Sequence, residues 1–371
     1  MRNKKNSVNF YGFLSSSTGY GKAVENFAKA FSLSNINTKF IFDKKDKTKN
    51  KINNLNLRNY TGKCNVEFHL SSPPYKKNRS SNYRIAYFYW ETDMLPSPWV
   101  KHLKELDELW VPCKLVEGAC RKAGFKNKIR VVPTPHDEWS SDIKLSFPSS
   151  FSNEYFISDN VLKFYSIFQW HYRKGPDILL KSYWKEFKRN DSVLLVLKVS
   201  PLNVGNYDAN KINKDIASIK SSLNLPYYAP IYIINDIISE KYIKALHNNL
   251  DCYVATHRGE GWGIPIQDAI YAGNPVITTR FGGVTEWLSV KNAGIIKHRP
   301  THVSRMEWSP HIYNAKQKWA SPSIDSSSKL MRDVYLNFDD YAKKSIRAKK
   351  IIDRFSIKKV SRLIESYIGE I

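Results

Sequence analysis

Two doubly wound α/β domains of parallel sheet, facing a cleft, are the fold that this 371-residue sequence predicts. The chain is longer than one ordinary domain, so two domains of roughly 150–200 residues are the default. Short apolar runs suited to buried strands alternate with amphipathic stretches, the pattern of a parallel sheet covered on both faces. Residues 140–160, rich in Ser, Asp and Asn with Pro148, interrupt the alternation and read as a linker. The first domain is therefore drawn at residues 1–150 and the second at 151–350. Residues 351–371 are expected to form a C-terminal helix that packs back toward the first.

Residues 8–14 read as the first strand. Gly19-Tyr20-Gly21 then opens a helix in which Ala23, Phe27, Ala30 and Phe31 share one face. Further strands are expected at 39–42, 66–70, 84–89, 108–111 and 129–132, with helices at 99–106 and 114–123 between them. Beyond the linker, strands at 162–168, 193–199, 231–234, 252–255 and 275–278 alternate with helices at 177–188, 240–248, 264–272 and from 284 onward. The chain ends in helical patterns at 326–337 and 357–368. In sheets of this kind ligands bind beyond the carboxyl ends of the strands.

Hydrophobic residues make up 42% and aromatics 13%, which suits two packed cores and excludes a disordered chain. No apolar run reaches the ~18 residues of a membrane-crossing helix. The start, MRNKKNSVNFYGFLSSS, has only a brief apolar stretch, so no cleaved signal peptide is expected and the cytoplasm is the expected compartment. Cys64, Cys113, Cys120 and Cys252 are scattered without a C-x-x-C pair, and buried reduced thiols are expected rather than disulfides or a metal site. The net charge is +24, and half of it, +12, falls within residues 1–80, densest from 44 to 63 and at Lys76, Lys77 and Arg79. Such a surface attracts polyanions, whether anionic lipid or nucleic acid. A solvated face in a Lys- and Asn-rich chain is the alternative.

The most informative run is HRGEGWGIPIQDAIYAGNPVITTRFGGVTEWL, residues 257–288. A buried strand ends near Thr256, a Gly-rich turn carries Glu260, and a helix begins around Ile264 and Pro265, where proline's missing N–H costs nothing. The N–H groups at a helix start suit an anion such as a diphosphate. Glu260 precedes that helix and Asp268 lies inside it eight positions later, so the two carboxylates can reach different polyols. Gly259, Gly261, Gly263 and Gly273 permit close approach of the backbone.

This run resembles the E-x7-E segment of family 4 glycosyltransferases (group 1 type), retaining enzymes of the GT-B fold, usually read as EGFGLPxxEAMAxGxPV. Here it stands as Glu260-Gly-Trp-Gly-Ile-Pro-Ile-Gln-Asp268-Ala-Ile-Tyr-Ala-Gly-Asn-Pro-Val. The resemblance implies that Glu260 contacts the transferred sugar and that Gly261, Gly263 and Ile264 line the donor. Asp268, one methylene shorter than the family's second Glu, is implied to bind the ribose hydroxyls. Residues 164–187, FYSIFQWHYRKGPDILLKSYWKEF, resemble the family's strand–loop–helix ending in R-K-G. Arg173 and Lys174 are then the cations that neutralise the donor diphosphate without a metal. Gln169-Trp170 stands where many members have Gly-Arg, and Lys198 is a further phosphate candidate. Phe281-Gly282-Gly283 with Glu286 resembles the G-G-x-x-E element, whose N–H groups would line the sugar or phosphate pocket. The base is expected against the backbone of residues 235–237.

Residues 15–31 resemble the family's first glycine loop and helix, so Gly19 and Gly21 are implied to approach the donor phosphate and sugar. Residues 87–139 also resemble these enzymes. There Glu91 and Asp93, at a strand end, either face the acceptor or cap a turn. His69 and His136 are acceptor-side candidates set against a purely structural role. The implied reaction is transfer of a hexose or related sugar from a UDP- or GDP-linked donor, with retention at the anomeric carbon. No D-x-D pair follows a predicted strand, and no metal or cofactor is implied. The acceptor is a surface glycan or lipid-linked glycan at the inner membrane face, or alternatively nucleic acid, as DNA with a hydroxylated base. A sugar-nucleotide-binding protein without catalysis is the third reading.

Overall fold

The structure, a computed structural model, describes residues 6–14, 18–42, 55–75, 83–139, 160–200, 209–236, 238–306 and 309–371. The linker expected at 140–160 falls almost wholly outside the described residues, as do Ile237 and most of the dense basic runs, 44–54 and 76–79. The chain divides into two compact units. One comprises residues 1–139, 307–318 and 351–371, and the other residues 140–306 and 319–350.

In the first unit, β-branched and aromatic runs build six parallel strands: β1 (Ser7–Gly12), β2 (Asn37–Phe42), β3 (Val66–Leu70), β4 (Tyr83–Tyr87), β5 (Glu108–Val111) and β6 (Lys128–Val131). Their order is β2-β1-β3-β4-β5-β6. Helix α1 (Gly19–Leu33) starts where the Thr18 hydroxyl accepts the Gly21 N–H at 3.1 Å. Helices α2 (Ser97–Leu103) and α3 (Lys114–Lys122) follow. In the core Phe10 stacks on Phe68 at 5.5 Å, and Phe27, Phe31 and Trp110 pack around the pair. The C-terminal helix, Ile357–Gly369, lies on α1 and adds Val360, Ile364 and Ile368 to this core.

The second unit repeats the plan with β7 (Leu162–Gln169), β8 (Val193–Ser200), β9 (Ile231–Ile234), β10 (Cys252–Ala255), β11 (Val276–Thr279) and β12 (Gly294–Ile296). All pair in parallel, in the order β12-β11-β10-β7-β8-β9. Helices α4 (Pro176–Glu186), α5 (Ala209–Leu223), α6 (Glu240–Asn249), α7 (Ile264–Tyr271), α8 (Ile324–Leu336) and α9 (Phe338–Ile352) complete it. A separate two-stranded sheet joins β13 (His298–His302) and β14 (Lys318–Pro322). The apolar run of β8 is buried except at Ser200, as a strand covered on both faces must be. From β7 the chain first adds strands on one side, β8 and β9, and then on the other, β10 to β12. The switch point therefore lies between β7 and β10, where sheets of this kind open a crevice.

Two helices, α5 and α9, were not predicted. In α5, Ile212 and Ile216 are buried one turn apart and Ile219 and Leu223 continue the same stripe, a helical period that a polar surrounding sequence hides. The helix expected from residue 284 is corrected to a single 3-10 turn, Gly283–Glu286, because Trp287 leaves the helical region at φ −142°. Among the described residues no helix is long and apolar enough to cross a membrane. All four cysteines are buried free thiols.

Candidate functional site

At the switch point the β7–β10 ladder is short, coupling only Cys252 with Phe164 and Tyr253 with Tyr165. Beyond it the Tyr253 hydroxyl donates to the Ile167 carbonyl at 3.0 Å and accepts the Ile167 N–H at 3.3 Å. A side chain thus satisfies backbone groups that the neighbouring strand no longer serves. The pocket that opens there is lined by Ser166, Ile167 and Phe168 of β7, Tyr253 and Ala255 of β10, Lys174, His257, Glu260, and Pro265 and Ile266 of α7.

Two turns join at this pocket. After β7 the chain makes a 3-10 turn, Tyr172–Lys174, and Gly175 adopts a left-handed conformation (φ 74°) before Pro176 starts α4. A Cβ at Gly175 would stand 2.1 Å from the Thr256 carbonyl oxygen, so only glycine lets this turn lie against the end of β10. The loop after β10 closes on the turn. The Arg258 N–H donates to the Arg173 carbonyl at 2.7 Å, the Arg173 guanidinium donates to the Gly259 carbonyl at 2.8 Å, and the Lys174 ammonium meets the Glu260 carboxylate at 2.5 Å. The Arg258 side chain spans the join. It binds both Asp177 oxygens, at 2.9 and 2.7 Å, and the Tyr172 carbonyl at 2.6 Å, with its guanidinium 3.5 Å over the Tyr172 ring. From the other side the Gly283 N–H donates to the Glu260 carbonyl at 2.9 Å. A Cβ on Gly282 (φ 81°) would come within 1.9 Å of that oxygen.

The electrostatics follow from this enclosure. Burial pushes the Glu260 carboxyl up, but Lys174, Arg173 and His257 outweigh it and bring its pKa down to about 2. Burial, aided by Lys174 and Arg173, lowers His257 to about 4 although Glu260 pulls the other way. His171 is depressed well below 6.5, again by burial and then by Arg173 and Lys174. At neutral pH the pocket is therefore lined by the Glu260 carboxylate, the Lys174 ammonium and a neutral His257 imidazole, with the Arg173 guanidinium buried beside them on the Gly259 carbonyl. An arrangement of this kind can bind a phosphate group on its cations and hydroxyls on its carboxylate.

Glu260, Arg173 and Lys174 are thus brought together, with Gly261, Gly263 and Ile264 in the loop and first turn of α7 directly behind Glu260. Gly263 is the left-handed N-cap of α7 (φ 95°), and Asp268 sits half-buried in the next turn. Gly282 and Gly283 approach Glu260 by backbone. The Gly283 N–H, expected to line a ligand pocket, is instead donated to the Glu260 carbonyl, so its role is to hold that loop. Glu286 is half-buried in the 3-10 turn that follows. Lys198 is 7% exposed, with its ammonium on the Val199 carbonyl at 2.9 Å, and does not line the pocket.

The remaining candidates belong to the first unit. Gly19 and Gly21 form the first turn of α1. Glu91 accepts the Tyr313 hydroxyl at 2.8 Å, and Asp93 accepts the Lys318 N–H at 2.6 Å with Lys122 at 3.5 Å. His69 is buried in β3, stacked on Tyr11 at 4.5 Å with its Nε2 3.2 Å from Glu67. The His136 N–H donates to the Phe355 carbonyl at 2.8 Å, which ties the start of the C-terminal helix to this unit. Sequence reasoning missed Arg258, Tyr253 and His257 altogether. Among the described residues no cluster of three metal-ligating side chains occurs.

Residues 219–306 match the model of a family described as glycosyl transferases group 1, a span that contains Glu260, Asp268 and Gly282. Among solved structures, Anabaena HepE in complex with UDP and glucose superposes with a TM-score of 0.67 at 12% identity, over 99% of this chain and 100% of that one. An E. coli structure described as trehalose-6-phosphate bound with UDP-2-fluoro glucose gives 0.66 at 10% identity, over 98% of this chain and 99% of that one. The OtsA apo structure gives 0.64 at 11%, over 99% of each chain. At such identities the likeness establishes the shared fold, GT-B. No curated protein matches the sequence.

Proposed function

We propose that the chain is a GT-B glycosyltransferase that moves a hexose from a UDP- or GDP-linked donor to a glycan or lipid-linked acceptor, with retention at the anomeric carbon, a reading supported by the matched segment and the shared fold. The observation that carries this reading is the join of the two turns, which puts Lys174 and Glu260 on one pocket at the carboxyl ends of β7 and β10, with the Arg173 guanidinium held beside them on the Gly259 carbonyl. The UDP and glucose held by Anabaena HepE support a UDP-sugar as the first donor to test.

A donor diphosphate competes with Glu260 for Lys174. Lys174 and Arg173 then carry the charge that grows on the diphosphate as the bond from C1 to the phosphate oxygen breaks. Glu260, released from its cation, accepts hydroxyls of the transferred sugar. The acceptor hydroxyl bonds to C1 on the face the diphosphate leaves, and its proton passes to the departing phosphate oxygen. Asp268 takes the ribose hydroxyls, and Gly19, Gly21, Glu91, Asp93 and His136 are assigned to the donor edge and the acceptor side. With two cations at the phosphate, the reaction is read as independent of metal or cofactor.

The protein is read as cytoplasmic, and its net charge of +24 supports peripheral attachment to the anionic inner membrane face. Thermal shifts with UDP-, GDP- and ADP-sugars test the donor, and stabilisation by none of them would overturn the reading. Binding to anionic liposomes at moderate salt, with duplex DNA left in solution, is the expected acceptor-side result. The reverse outcome would move the acceptor to nucleic acid.

A further inference from the structure

We propose that Nδ1 of His257 is the acceptor that recognises a hydroxyl of the donor's sugar, an assignment that rests on reading the pocket as a nucleotide-sugar site. His257 follows β10 by two residues, is 2% exposed, and lines the same pocket as Lys174 and Glu260. Its Nε2 lies 3.2 Å from the Phe281 carbonyl oxygen. A carbonyl can only accept, so Nε2 carries the proton and Nδ1 keeps a lone pair. That Nδ1 is buried and has no hydrogen-bond partner among the described residues. A buried acceptor left without a donor is costly, and such an atom on a residue that lines the pocket fits a ligand that supplies the donor.

The chemistry of the lone pair selects which part of the ligand that is. A diphosphate at neutral pH offers acceptors only and cannot bond to it. The hydroxyls of a sugar can donate, and Glu260, the carboxylate assigned to those hydroxyls, shares the pocket with His257. Burial together with Lys174 and Arg173 keeps the ring uncharged, so the lone pair persists at neutral pH. A nucleobase N–H is the other donor that such a ligand carries, and the experiment separates the two.

His257→Gln retains an amide N–H that can reach the Phe281 carbonyl and removes the acceptor at the Nδ1 position. His257→Asn does the converse, keeping an acceptor near Nδ1 and giving up the Phe281 bond. Calorimetry on the whole chain, with UDP, UDP-glucose, GDP and GDP-mannose as probes, reads the result. The Gln variant is expected to weaken the nucleotide-sugar that the wild type binds by about tenfold, while leaving its parent nucleotide within about twofold, and the Asn variant to recover part of the loss. Unchanged nucleotide-sugar affinity in the Gln variant would overturn the assignment. So would equal losses for nucleotide and nucleotide-sugar, which place the contact at the base or in the fold. A wild type that binds none of the four probes would instead remove the donor-site reading, and this assignment with it.

Discussion

Arg258 holds Asp177 with two parallel guanidinium contacts, at 2.9 and 2.7 Å, across 81 residues of sequence. This bond helps fix the turn that carries Arg173 and Lys174 against the loop that carries Glu260. Arg258→Ala leaves Asp177 and the Tyr172 carbonyl without their donor. The partial exposure of Asp177 tempers the cost, and a loss of about 2 kcal/mol is expected from urea unfolding. Activity with the identified donor should fall at least about tenfold, because the cations and carboxylate lose their alignment. Arg258→Lys keeps the charge without the fork and should lie between wild type and Ala.

Glu260→Gln preserves shape and removes the charge. Transfer should drop by about a hundredfold or more, with the melting temperature lowered by loss of the buried Lys174 pair but the unfolding transition still cooperative. Single-turnover kinetics beside a thermal melt checks both halves. Full transfer in this variant would remove Glu260 from the site.

Stability should depend on pH in a definite direction. His257 and His171 are neutral in the folded protein well below 6.5, whereas the unfolded chain takes up protons there. Stability therefore rises with pH from about 4 to about 6.5 and levels off above, with His257 supplying on the order of 3 kcal/mol of the rise. The depressed Glu260 acts lower down. Its contribution is complete above about 4.5 and disappears as pH falls through about 2. Urea midpoints measured from about pH 4.5 to 7.5 should show the histidine slope, and a flat profile would contradict it.

Two glycines in left-handed conformation make a paired test. Gly282→Ala drives a Cβ to within 1.9 Å of the Glu260 carbonyl oxygen, while a Cβ at Gly273 (φ 99°) meets nothing within 4 Å. Gly273→Ala should cost about 1 kcal/mol of backbone strain and leave transfer intact. Gly282→Ala should cost clearly more and abolish transfer, since the Glu260 loop must shift. Chemical denaturation and the transfer assay on both variants decide it.

Much of the architecture was legible because its signals are local. The strands at 66–70, 108–111, 231–234 and 252–255 were predicted with their observed bounds, since each is a short apolar run between clear breaks. The carboxylate–glycine run around Glu260 was legible for the same reason. Arg258 was not, because its partners Asp177 and Tyr172 come from another turn and nothing near residue 258 announces them. Tyr253 read as one more apolar strand residue, and only the short β7–β10 ladder reveals what its hydroxyl does. Helix α9 stayed hidden because its sequence, FDDYAKKSIRAKKII, is mostly polar and buries few side chains.

The C-terminal helix completes the core of the first unit, whose sheet lies within residues 7–131. During synthesis that sheet emerges early and then waits for Val360, Ile364 and Ile368 while the whole second unit is made. The second unit, closed by residue 350, can finish folding first although it is translated later. The first unit's core can therefore close only after the second unit has been synthesised, and until residues 357–369 pack on α1 the face they cover stays open to solvent.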